Sequence, residues 1–127
     1  MSEEALKYIS DALKSLGIPY SFMEWNTTPL PDPYFVGEYV EEETTTEDGL
    51  QESPFILTGT TRGTWLSLEQ AKSKIRYKFS PISGETVILA NGAGLAVFYS
   101  NSFPVPTEDE NLKRIQINLQ VKEWSVK

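Results

Sequence analysis

The sequence predicts an α+β fold: a mostly antiparallel β-sheet of about five to six strands, with two helices packed on it and one long protruding β-hairpin. Three observations lead there. Two stretches, residues 2–16 and the segment from Ser67, repeat apolar residues every three or four positions. Several others alternate with a period of two or run apolar for a few residues. Turn signals separate them all, without an internal repeat or a dividing linker, so residues 1–127 are expected to form a single domain.

In residues 2–16, Leu6, Ile9, Leu13 and Leu16 share a stripe with Ala5 and Ala12, while Glu3, Lys7, Asp11 and Lys14 lie opposite. Ser2 suits the N-cap, Glu3 and Glu4 suit the positive end of the dipole, and Gly17, Ile18 and Pro19 end the helix. Acids and bases mix on the outer face. This predicts core packing rather than a membrane surface.

Residues 20–25 (YSFMEW) are aromatic enough for a strand. Asn26, Thr27, Thr28 and prolines 29, 31 and 33 then force a turn, and the second strand starts at or after Tyr34. Tyr34, Val36, Glu38 and Val40 fall on one face of it, and Phe35, Gly37, Tyr39 and Glu41 on the other. Both faces start apolar and become charged toward Glu41, and its partner, residues 54–61, starts with Phe55, Ile56 and Leu57 and ends in TGTT. The connection of about ten residues exceeds the two to five usual for hairpins, and long loops tend to be functional or disordered.

Ser67 to Gln70 reads as an S-x-x-Q capping box, and Leu68, Ala71, Ile75 and Phe79 mark the buried stripe of the helix it opens. Lys72, Lys74, Arg76 and Lys78 lie outside that stripe. They serve either as a solvated face complementing the helix dipole or as an interaction surface. TVILA (86–90) and LAVFY (95–99) flank Asn91 and Gly92, which predicts two central strands about a tight turn. Phe103 to Pro106 reads as a connection and residues 107–111 as a polar corner. In the last segment Ile115, Ile117, Leu119 and Val121 alternate with Arg114, Gln116, Asn118, Gln120 and Lys122. A helix capped by Thr107 and Glu110 would also fit Leu112, Ile115 and Leu119, but the uninterrupted period of two favours a strand with one face in the core and one in solvent.

Composition narrows the chemistry. The chain has no Cys and no His, so disulfides, thiolate metal sites and the commonest general base are absent. The formal charge of −7 argues against sequence-specific nucleic-acid binding. No apolar run approaches the roughly 20 residues that span a bilayer, and the acidic start is unlike a leader, which points to the cytosol and away from membranes. NGAG lacks a third glycine, and GTTRG (59–63) lacks the lysine of a phosphate loop. Glu41, Glu42, Glu43, Glu47, Asp48 and Glu52 are plentiful carboxylates, but they lack the calcium-loop spacing and the burial that would raise a pKa. Neither an enzyme nor a cofactor is expected.

The helix ending in LGIPYSF (16–22), the PDPYFVGEYV strand (31–40) with its acidic hairpin, the helix from Ser67 and the closing NLKRIQINLQVKEW (111–124) together make the chain resemble the tail-terminator or tail-completion proteins of long-tailed bacteriophages. The resemblance covers nearly the whole length. It implies a structural subunit that closes into a ring, a hexamer, at the head-proximal end of the tail and meets the tail-tube protein and the head connector. The protein would then belong to the virion, and to the host cytoplasm during assembly, with DNA passing through the ring lumen. A closed ring needs two unlike patches that meet head to tail. The candidates are Glu41, Glu42, Glu43, Glu47, Asp48 and Glu52 on one subunit and Lys72, Lys74, Arg76 and Lys78 on the next. The acidic loop could instead line the lumen and repel phosphates, or simply be solvated. The other reading of the whole chain is a small acidic binding or inhibitor module without catalytic activity.

Overall fold

The computed structural model describes residues 1–25, 28–41 and 49–124. Its elements are α1 (Glu3–Ser15), β1 (Tyr20–Phe22), β2 (Tyr34–Tyr39), β3 (Leu50–Thr61), α2 (Trp65–Lys78), β4 (Glu85–Ile88), β5 (Gly94–Val105) and β6 (Lys113–Trp124). The six strands form one sheet in the order β1-β2-β3-β6-β5-β4. Only β1 and β2 run parallel; the other neighbours are antiparallel. This is the expected α+β architecture.

The sheet's inner face is set by alternation along its three 12-residue strands, β3, β5 and β6. Phe55 stands opposite Leu119, Leu57 opposite Ile117 and Val97 opposite Val121. These side chains close over Ile9 and Leu13 of α1 and Leu68, Ile75 and Phe79 of α2 in one buried core. Ser2 caps α1, its Oγ accepting from Ala5 N at 3.2 Å, and Gly17 ends the helix at φ 77°.

Two glycines make room for the aromatic part of this core. Gly59 faces Phe35 across the β2–β3 pair, and a Cβ there would lie 2.2 Å from the Phe35 ring. At Gly37 the same atom would lie 2.6 Å from the ring of Phe55. The first glycine of GTTRG is therefore a socket in a strand.

Several elements depart from the expectation for local reasons. The strand expected over residues 20–25 is β1, only 3 residues long, because Met23 turns away at φ 67°. Ser67 does not cap α2. Thr64 is the N-cap, without a side-chain bond, and Ser67 Oγ sits inside the first turn and donates to the Thr64 carbonyl at 2.9 Å. Of Asn91 and Gly92, only Gly92 has positive φ (89°), while Asn91 Oδ1 accepts from Ala93 N at 3.0 Å. β4 is an edge strand rather than a central one, with Ile88 71% exposed. The supposed connection from Phe103 continues β5 to Val105, after a register shift between Tyr99 and Asn101. Pro104 is tolerated because β4 pairs only with Gly94 to Val97, so among the described residues no strand needs the missing N–H. The polar face of β6 is half-buried rather than open, shielded by side chains of β3 and β5 on either side.

The glycine socket gives a stability test. Gly59→Ala should lower unfolding stability by about 1–3 kcal/mol, the usual range for overpacking a core. Gly94→Ala, whose nearest new contact is 3.4 Å away, should change it little. Urea unfolding of the two variants checks this.

Candidate functional site

The residues expected to form an acidic patch divide at the base of the β2–β3 hairpin. Glu41 follows β2, is exposed, and accepts from the Met1 amino group at 3.1 Å. Glu52 lies in β3 opposite Lys122, whose Nζ is 3.9 Å away, and its Oε2 accepts from Gln120 Nε2 at 3.4 Å. Glu42, Glu43, Glu47 and Asp48 lie outside the described residues.

The four cations of α2 do not share one side. Residues two apart on a helix differ by roughly 200°, so Lys72 and Arg76 face one way and Lys74 and Lys78 nearly the opposite way. Lys72 pairs with Glu69 one turn back. Arg76 lies over the Tyr99 ring, 5.7 Å from its centroid. Lys78 Nζ donates to Glu85 Oε1 at 3.0 Å. Lys74 is exposed and forms no ion pair among the described residues.

Two polar junctions were not visible in the sequence. Glu85 Oε1 also accepts from Tyr8 Oη at 3.2 Å, so one carboxylate ties α1, α2 and β4 together. Burial first, and the Glu85 charge and hydrogen bond after it, push the Tyr8 phenol up to about 12. Burial alone does the same to Tyr20. The second junction is Asp32, which accepts from Thr61 Oγ1 and from Arg62 N. Arg62 Nη1 continues to Asp109 Oδ2 at 3.1 Å. The Asn111 N–H and then Arg62 hold the Asp109 carboxyl below its ordinary range. A separation of 77 residues hides the first junction in the sequence, and the Asp32 of PDP was the sole signal of the second.

The sheet face opposite the helices carries a row of amides. Gln116 Nε2 donates to Asn118 Oδ1 at 3.0 Å, and Asn118 Nδ2 to Asn101 Oδ1 at 2.7 Å. Among the described residues no group of three or more His, Cys, Asp or Glu could hold a metal ion. The geometry offers surfaces for contact.

No family model and no curated protein matches the chain. Solved structures do. A chain from "Virion of native gene transfer agent (GTA) particle" is 12% identical and superposes with a TM-score of 0.64, over 89% of this chain and 84% of that one. A second solved chain, whose name states no function, is 16% identical with a TM-score of 0.68, over 100% of this chain and 99% of its own. The fold is shared along almost the entire length.

The Glu85 junction can be read by titration. Glu85→Gln removes the carboxylate charge while leaving an amide oxygen that can accept from Tyr8 Oη, so the phenol should titrate below about 12 but above the ordinary 10.0, because burial remains. Tyr20 should stay near 12 and serve as the internal reference. Since both folded values are raised, the stability they contribute is present below pH 10 and fades as pH climbs toward 12. Phenolate absorbance against pH measures the shift.

Proposed function

We propose that this chain is a structural virion-assembly protein, a tail-terminator or tail-completion subunit. It closes into a ring at the head-proximal end of the tail and joins the tail to the head connector. The observation that carries this reading is the likeness in fold, over 89% of this chain, to a chain of the gene transfer agent virion, a phage-like particle. It agrees with the sequence resemblance to phage tail proteins, reached from different evidence.

The surface chemistry supports a role in assembly rather than catalysis. Glu41 and Glu52 at the hairpin and the cations of α2 carry opposite charge on different elements, and a neighbouring copy could meet those cations on either of two faces, Lys72 with Arg76 or Lys74 with Lys78. Among the described residues Lys74 is the α2 cation with no ion-pair partner to give up, and Lys72, Arg76 and Lys78 hold exposed or half-exposed partners, which bind weakly and exchange readily. A ring whose acids line the lumen would instead repel DNA phosphates and let the genome pass. The protein then resides in the finished virion, after assembly in the host cytoplasm with the tail-tube protein and the connector.

Electron microscopy of tail-tube protein polymerising with and without the purified chain tests this. Added chain should stop growth and sit at one end of each tube. Unchanged tube lengths with bare ends would refute the terminator role. Reversing Lys72, Lys74, Arg76 and Lys78 to Glu should abolish capping; capping that survives would remove these cations from the subunit contact.

A further inference from the structure

Among the exposed apolar side chains of the described residues, two groups differ in shape and charge. Tyr77 in the last turn of α2 and Ile82 in the turn after it are each 91% exposed. With Ser73, Arg76, Ser80 and Pro81 they line a groove of about 490 Å³. Ser73 carries the groove into a second hollow beside Leu66 and Lys74. The other cluster projects from the edge of the sheet. Met23 is 59% exposed and Phe22 38%, the latter stacked on Tyr39 with ring centroids 6.0 Å apart. Met23 N donates to Gly37 O at 2.8 Å, which fixes the turn at positive φ, a conformation uncommon outside glycine, and leaves the thioether facing solvent.

Charge assigns an occupant to the groove. No lysine or arginine occurs between Lys14 and Arg62, and the projecting edge carries exposed Glu24 and Glu38. Exposed Arg76 borders the groove, and among the described residues no acid lines it; Lys74 belongs to the second hollow, where Glu69 stands beside it. A flexible, polarizable methionine beside an aromatic ring suits a shallow groove walled by tyrosine and isoleucine.

We propose that a second copy of this chain fills the groove: the Phe22–Met23 edge of one copy seats against Tyr77 and Ile82 of the next, with Glu24 and Glu38 on the side of Arg76. The two surfaces are unlike, so the contact is head-to-tail and each copy keeps one free edge or one free groove for another. Its place in a closed ring rests on the proposed function. The contact itself does not.

Because the chain has no cysteine, single substitutions report position without background. Met23→Cys and Tyr77→Cys, made in the full chain at exposed sites, are treated with a short thiol crosslinker separately, mixed and combined in one chain. The mixture should give dimers containing one of each variant, and neither variant alone should crosslink. The double variant should give a ladder of dimers, trimers and higher species, lost when Ile82→Glu is added. Homodimers of either single variant as the main product, or no ladder from the double variant up to its solubility limit, would overturn the contact. Tube capping, scored separately, distinguishes the two claims: a ladder without capping keeps this contact and removes the terminator role, whereas capping without a ladder does the reverse.

Discussion

The antiparallel pairing of β3 with β6 is the constraint on which the rest of the molecule depends. It runs unbroken from Leu50 opposite Trp124 to Thr61 opposite Lys113. With a side-chain period of two, a slip of one residue would send Phe55, Leu57, Ile117 and Leu119 to the wrong face together. The core therefore holds the register. From this ladder β2 extends on one side and β5 on the other, and both helices close over the inner face.

What was legible in the sequence follows from how local each cause is. The periodicity of α1 and the alternation of β6 are properties of consecutive residues, and both elements appeared where their patterns lay. The length of β5 was not legible, because Pro104 forbids a strand only where a neighbour needs its N–H, and which side of β5 is open is decided by the short β4 far from it in the pairing. Ser67 misled for a similar reason. An S-x-x-Q pattern fits the first turn as well as the cap, and Trp65 and Leu66 extend the helix backward.

The candidate surfaces were legible as composition and not as geometry. Alternating Lys72, Lys74, Arg76 and Lys78 look like one patch in a line of text, yet a helix turns every second residue to the far side. The junction at Glu85 was hidden further still, since it joins residues from three elements that meet only once the sheet and both helices are in place.

This division of labour bears on what an assembly contact could rest on. Solvent-exposed ion pairs contribute roughly 0–1 kcal/mol each and weaken with salt. The segregated charges of this chain can therefore orient an approaching copy and reject a wrong one more effectively than they can hold it. Holding requires apolar area removed from water around a few central side chains. Among the described residues, Tyr77 and Ile82 are the most exposed large apolar side chains, and they border a groove flanked by Arg76. In the proposed contact, charge therefore serves as a guide, and the small apolar surfaces at the end of α2 and at the β1 edge supply the area to be buried.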